Sequence, residues 1–456
     1  MKESTIIFFF ALTISINAQQ KLAFSFGETP QTLLLNPGAE TNFKRHYGIP
    51  ILSNFNLSAG NSGFELADLF LNDSRDFNSK FQEILTKISN DDYVNINAVI
   101  DIINGGFRID EKTYISFGFY QELDIISYFP KDMLELFYYG NEPFLNRPFS
   151  ISQASIKGDF SGILHLGVSK KVNTKLNFGA RLKIYSSSIN VESTNNSGTF
   201  TTSLGNNNIL SQSLNNVDAQ VRTSGILDSN NEVFESINEL FTNTFFGNNL
   251  GLGVDLGLTY HFSPQLEFTG SLLDIGFVKY SKKIRNFSTK GNYVLDGINF
   301  EYNSSSPVDY WEELENDFKA KVPSKETQEA YTSWRPMKIN TALKYSFGEK
   351  RSVVCYAETH KKYFHNSIGL QLHSIMRPLK AQFSFTSFYE RSLSKNTHLK
   401  FTHTMNDYSP TIFGTGLSLQ VSRVHFFGLL DNIFAVRDLS TANNISVNFG
   451  FNIVID

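Results

Sequence analysis

The residue types best suited to chemistry in this 456-residue chain are its nine histidines, its many serines and one cysteine, Cys355. A hydrolase would place a serine beside an activating histidine, yet no Gly-x-Ser-x-Gly elbow occurs. His360 with His365, and His398 with His403, are the closest approach to metal pairs. Their five-residue offsets put the two imidazoles of each pair on opposite faces of a strand, which is poor geometry for one ion. Gly251-Leu252-Gly253 sits in an alternating strand pattern rather than before a helix, so it lacks the context of a phosphate loop. A lone cysteine excludes an intramolecular disulfide framework and a cysteine-built zinc site. The expectation is a protein that is not an enzyme, with no catalytic, cofactor or metal site.

A different set of ionisable residues stands out by position: Arg181, Lys183, Asp255, His261, Glu267, Lys338, Lys344 and His373. Each falls on the polar side of a segment whose other side is oily. Such residues are candidates to line an enclosed, polar lumen, where mixed charges either set pore selectivity or pair and brace the interior.

The elements that position them alternate with a period of two, over segments of about 10 to 14 residues, the spanning length of a tilted strand. Leu176, Phe178, Ala180, Leu182 and Ile184 share one face, against Asn177, Gly179, Arg181 and Lys183 on the other. Leu252, Val254, Leu256, Leu258, Tyr260 and Phe262 oppose Asp255, Gly257, Thr259 and His261. The final segment alternates from Ile445 to Ile455. Aromatic residues recur near strand ends (Tyr260, Phe262, Tyr345, Phe347, Phe388 and Tyr389), as interfacial girdles require. These features favour an all-β, transmembrane antiparallel β-barrel over a soluble sandwich. Fifteen strand starts can be drawn, near Tyr47, Tyr93, Thr113, Ile151, Lys175, Leu250, Gln265, Pro336, Ser352, Phe364, Pro378, Lys395, Pro410, Val424 and Asn444. A single-chain bacterial barrel takes an even number, so the expectation is about 14, within 12–16.

Bulk composition agrees. Aromatics make up 14% of the chain, with 43 Phe and 19 Tyr, while mean hydropathy is only -0.20. Alternation hides apolar surface in a sequence that averages out polar. The net charge of -4 lacks the basic excess of a nucleic-acid binder. Lys2, the apolar run Ile6–Ile16 and Ala18 read as a signal peptide over residues 1–18, cleaved near Ala18, with one barrel domain over 19–456.

Tight turns are expected at 110–112, 172–174, 263–264 and 348–350, on the periplasmic side. Long extracellular loops are expected near 60–92, 125–150, 191–249 and 281–335. Short helices are expected in these loops. One follows Asp76, with Phe77, Phe81, Ile84, Leu85 and Ile88 on one face; one spans Pro130–Tyr139; one follows Ser306-Pro307.

Several segments carry a resemblance. Asn36-Pro37-Gly38-Ala39, Tyr47-Gly48-Ile49-Pro50, Asn61-Ser62-Gly63-Phe64, the stretch Leu272–Tyr280, Leu430-Asp431-Asn432 and the last strand resemble a family of outer-membrane barrels from Bacteroidota. That family is similar in architecture to the FadL-like barrels, which include fatty-acid transporters and PorV-type secretion subunits. The resemblance implies outer-membrane lipid as surroundings and one of two roles. The first is a FadL-like passive conduit for small or hydrophobic molecules. The second is a non-catalytic, PorV-like scaffold that docks secretion-machinery proteins or lipoproteins. It transfers no catalytic residue.

Overall fold

The computed structural model describes residues 23–455 except 27–28, 71–72, 206–209, 228–236, 248, 297–315, 317–318, 321, 323, 351–362, 408, 410 and 435–442. The expected signal segment, Cys355, His360, the helix after Pro307 and the strand starts at Ser352 and Pro410 lie outside the described residues.

The strands run in chain order as β1 (Arg45–Gly48), β2 (Phe55–Asn61), β3 (Tyr93–Arg108), β4 (Thr113–Tyr128), β5 (Pro148–Ser150), β6 (Ser155–Lys171) and β7 (Leu176–Leu204). Then come β8 (Leu210–Ser224), β9 (Asn249–His261), β10 (Leu266–Tyr280), β11 (Ile284–Asp296), β12 (Lys325–Thr327), β13 (Tyr331–Trp334) and β14 (Lys338–Lys350). The last are β15 (Tyr363–Ile375), β16 (Gln382–Ser394), β17 (Thr397–Asn406), β18 (Ile412–Val421), β19 (Val424–Asp431) and β20 (Asn444–Ile455).

All join one antiparallel sheet that closes on itself as a 14-strand barrel. β1 and β2 form one interrupted wall strand, since both pair with β3 and with β20. β13 and β14 form another, both pairing with β10. Closure comes where Arg45 pairs with Ile455 and Phe55 with Phe449.

The wall is inside-out relative to a soluble protein. Leu182 is 64% exposed and Leu252 60%, whereas Arg181 and Asp255 on the same strands are 1% and 0% exposed. Only a solvent of lipid makes that arrangement favourable, because the oily rows face out all round the wall. No helix among the described residues is long and apolar enough to cross a membrane.

The connections sort by length. At one end β3–β4, β6–β7, β9–β10, β16–β17 and β18–β19 are joined by a few residues each. The other end carries the long connections and most of the helices. There α1 (Thr32–Leu35) is absent, since it lies inside the barrel, while α2 (Leu66–Phe70), α3 (Phe77–Lys87), α4 (Lys131–Tyr139) and α5 (Ile237–Asn243) belong to loops. Asp76 caps α3 by accepting from the Ser79 amide at 3.0 Å, and Gly140, at φ 72, ends α4. Phe81 of α3 meets Tyr138 of α4 with ring centroids 4.9 Å apart.

Two sequence expectations change. β14 and β15 pair directly from Lys338↔Ile375 to Lys350↔Tyr363, so 348–350 is strand rather than turn. Gly348 takes a positive φ, 76°, within the strand, a conformation glycine adopts freely. The polar stretch from 191 is not plain loop either. β7 continues for 29 residues in all, roughly 95 Å at 3.3 Å per residue. Its upper half pairs with β8, β8 with β11 and β11 with β12, and this sheet projects beyond the rim.

Candidate functional site: a lumen filled in two layers

The upper layer is ionic and is built from the wall itself. Alternation turns Arg181 and Lys183 of β7 and Asp255 of β9 inward, and Arg181↔Asp255 are register partners. Across the next strand pair, β10 carries a bulge between Leu272 and Ile275. The extra residue resets the strand's parity, so Asp274, at φ 59, points into the lumen while Leu272 and Ile275 stay outside. Aspartate tolerates that left-handed conformation better than a branched residue would. Opposite the bulge, the neighbouring wall strand is broken at Arg335-Pro336-Met337, between β13 and β14. Proline removes a ladder donor there, and Arg335 turns in.

The result is an alternating chain of charges. Asp255 accepts from Arg181 at 3.0 Å and from Lys183 at 2.9 Å. Lys183 reaches Asp274 at 2.7 Å, and Lys338 reaches Asp274 at 3.1 Å and Glu122 at 2.9 Å. Arg335 bonds Glu122 at 2.6 Å and also Asp159. Four cations meet four anions, so the belt is neutral, and each carboxylate touches at least one cation. Buried charges of this kind persist only when paired and hydrogen-bonded. Nearer the long-loop end, Arg377 clasps Asp124 at 2.5 Å.

The lower layer comes from the N-terminal segment, residues 23–44, which lies inside the barrel toward the short-turn end. Its anchorage is mostly side chain to main chain. Arg181 donates to the carbonyls of Leu33 and, at 3.0 Å, Leu34, the unsatisfied C-terminal carbonyls of α1. Ser271 donates to Leu35 at 2.6 Å, Thr259 to Gly38 at 2.9 Å, and Asn177 to Gly38 at 3.0 Å and Ala39 at 3.1 Å. Asn36 returns a bond to the Leu258 carbonyl at 3.1 Å.

Asn36-Pro37-Gly38 lies in a slot made by Gly179 and Gly257, which are register partners on β7 and β9. A Cβ on Gly179 would stand 2.0 Å from the Pro37 carbonyl oxygen, and one on Gly257 2.1 Å from Asn36 Oδ1. Phe24, Phe26 and Leu35 of the segment pack with Ala342, Phe388, Phe427 and Leu429 of the wall. Lys400 donates to the Phe24 carbonyl at 2.9 Å and sits 4.4 Å from the Phe388 ring centroid.

All eight residues singled out in the sequence project inward. Arg181, Lys183, Asp255 and Lys338 meet in the ionic belt. His261, Glu267 and Lys344 gather lower down. Lys344 bonds Glu267 at 3.0 Å, and His261 contacts Glu267 at 3.8 Å and Glu40 of the N-terminal segment at 3.2 Å. His373 stands apart from both groups and shares a hydrogen bond with Asn340 at 2.7 Å. Sequence reasoning missed Glu122, Asp159, Asp274 and Arg335. Glu122 was within reach, since Ser116, Gly118, Tyr120 and Glu122 alternate on β4; Asp274 and Arg335 depend on a bulge and a break that no periodicity marks. It also missed the plug, because Asn36-Pro37-Gly38 carries only turn signals.

Of the histidine pairs, His398 hydrogen-bonds Ser392 at 2.9 Å while His403 faces outward against Phe413, at 5.0 Å between rings. No group of three or more potential ligands for a metal occurs among the described residues.

No curated protein matches the chain. Among solved structures, a FadL homologue of Pseudomonas aeruginosa is 9% identical, with a TM-score of 0.42 over 97% of this chain and 98% of that one. The toluene transporter TodX of Pseudomonas putida is 8% identical, with a TM-score of 0.36 over 93% and 90%. The CymD monoaromatic hydrocarbon channel is 9% identical, with a TM-score of 0.33 over 97% of each. The family of unknown function DUF5723 matches residues 37–431, from the seated Pro37 to the last residue of β19, and the protein belongs to that family.

Proposed function

We propose that this protein is an outer-membrane barrel that conducts small molecules, with its own N-terminal segment as a displaceable plug that opens spontaneously. The observation that carries the reading is how residues 23–44 are held. Ahead of Lys44, whose backbone joins the wall ladder through Ile455 and Arg108, they are tied mainly by side-chain hydrogen bonds and seated in glycine slots, and they add no strand to the wall. Such a segment can leave without opening the barrel. In this reading the short-turn end faces the periplasm and the long-loop end the exterior, as short turns do in such barrels.

A hydrophobic cargo is supported by the helix pair at the long-loop end. Phe77 stacks near Phe81 at 6.1 Å, and Met133, Phe137 and Tyr139 of α4 are exposed, Phe137 by 85%. An oily surface of this kind above the rim suits capture of an apolar solute.

The test locks the plug. Ala39 and Ser169 become cysteines in a Cys355→Ser background, because Ser169 Oγ lies 3.1 Å from the Ala39 carbonyl. In proteoliposomes, a small hydrophobic dye should cross with the pair reduced and stop crossing with it oxidised. Equal flux in both states, or none in either, would sink the conduit.

A second reading is favoured by a specific observation. The projecting sheet of β7, β8, β11 and β12 is a stiff, polar platform suited to docking another protein. A scaffold of this kind predicts stoichiometric recovery of a secretion subunit or lipoprotein after gentle extraction. Recovery of the lone chain, together with plug-dependent flux, would decide for the conduit.

A further inference from the structure

Three outward positions on the oily wall break the pattern. Gln121 of β4, Gly162 of β6 and Ser186 of β7 are successive register partners, Gln121↔Gly162 and Gly162↔Ser186, so they form one rung across three strands. On the same faces apolar side chains lie both below the rung (Phe117, Leu164, Ile184) and above it (Leu123). The rung therefore lies within the lipid-facing band and not beyond its edge. A polar rung there is unfavourable unless something covers it.

The cover is residues 237–247, α5 and the turn that follows. Gln121 Nε2 donates to Thr244 Oγ1 at 2.7 Å and to the Phe241 carbonyl at 3.4 Å, and Ser186 Oγ donates to the Asn243 carbonyl at 3.4 Å. Phe241 and Asn243 belong to the last turn of α5, where the Phe241 carbonyl also accepts from the Thr244 amide at 3.3 Å and the Thr244 hydroxyl at 2.6 Å. Gly162 leaves room for the strap, since a Cβ there would stand 2.3 Å from the Thr244 carbonyl oxygen. Phe245 stacks on Phe119 at 4.9 Å, and Phe241 meets Phe160 edge-on at 5.2 Å. The wall thus supplies what this short segment needs in order to sit at membrane depth: donors to Thr244, Phe241 and Asn243, and a cleft.

The outer side of the strap stays oily. Phe241, Phe245 and Phe246 are 41%, 50% and 47% exposed, continuous with the exposed leucines of the belt. We propose that residues 237–247 are a membrane-seated strap that buries these three phenylalanines among the acyl chains of the leaflet at the long-loop end. Its occupant is lipid. Continuity with the lipid-facing wall, and a polar rung that the strap covers, select lipid over a protein partner. Aromatic rings at that depth hold the projecting β7–β8 hairpin in register with the membrane surface.

The inference rests on the membrane reading, and the experiment separates the two. Trp311 and Trp334 are replaced by phenylalanine, and Phe245→Trp or, as the wall control, Leu166→Trp is introduced. The barrel is reconstituted in bilayers of phosphatidylcholine carrying acyl-chain bromines, with iodide as the aqueous quencher. Loss of emission to bromine in both variants, with little loss to iodide, is the expected result. Bromine quenching in the Leu166→Trp control alone, with Phe245→Trp quenched by iodide, would overturn the strap and leave the barrel. Quenching of neither by bromine would overturn the membrane reading itself. Gly162→Ala, added to Phe245→Trp, should turn bromine quenching into iodide quenching while the Leu166→Trp signal holds. An unchanged Phe245→Trp signal would show that the rung does not seat the strap.

Discussion

The two layers that fill the lumen differ in what they are made of. The ionic belt is wall: its charges sit on β4, β6, β7, β9 and β10, in the break between β13 and β14, and on β14 itself. The N-terminal layer is a separate segment laid against that wall, held by its carbonyls and by the absence of glycine side chains. A barrel can brace itself and close itself with different parts. In the conduit reading one of them moves without dismantling the other, with Arg181 the residue that touches both.

The comparison breaks most sharply at Asp274. Asp274→Ala leaves Lys183 with one carboxylate and Lys338 with one, all in a buried setting. Removing one partner from such a buried set costs about 3–5 kcal/mol, read as a lower urea midpoint for unfolding from vesicles. Next is the slot. Gly257→Leu drives a side chain into Asn36 and Pro37, and overpacking of this sort costs about 1–3 kcal/mol. Its signature is different: a protease-sensitive N-terminal segment and raised conductance on an intact barrel. A loss as large as that of Asp274→Ala would mean the segment is structural and the distinction between the layers is false.

Smaller still is Lys400→Met, which keeps the bulk but loses the bond to the Phe24 carbonyl, the ion pair with Glu390 at 3.3 Å and the contact with Phe388. About 1–2 kcal/mol is expected, with faster hydrogen exchange in residues 23–35 and none gained in the belt. The weakest effect lies outside the lumen, where Lys380 bonds Asp91 and ties the loop before β3 to the loop before β16. The Lys380 hydrogen bond holds the Asp91 carboxyl below its ordinary range. A depressed carboxyl contributes order above the unfolded value of about 4 and loses it as pH falls through the depressed one. Exchange in the loop spanning 62–92 should rise below about pH 4 in the parent and be already raised at neutral pH in Lys380→Ala. Identical profiles would remove the tie.

The barrel was legible because lipid and lumen impose opposite demands on neighbouring residues, and the period of two records both. Phe178 beside Gly179, and Leu182 beside Arg181, carry that record without ambiguity. Legibility failed where geometry departs from the period. Asp274 sits on the oily side by count and in the lumen by bulge. Pro336 reads as a strand start, yet the wall strand begins at Tyr331 and breaks around the proline. Gly348 reads as a turn although its hairpin runs on to Lys350. The polar run from 191 reads as loop because a sheet standing in water on both faces has no oily row to announce it. The N-terminal segment was illegible for a related reason: its partners are main-chain atoms and glycines, which leave no mark in a pattern of side chains.

Gln31 gives the N-terminal layer one further consequence. Its amide donates to the Ser53 carbonyl at 2.7 Å and to Asn452 at 2.9 Å, and Asn452 donates back at 3.0 Å. Ser53 lies in the interruption of the first wall strand, between β1 and β2, and Asn452 on β20, so the two stand on either side of the seam where the cylinder shuts. A residue that precedes the first wall strand in the chain is therefore bonded to both sides of the joint, and acts as a clasp across it.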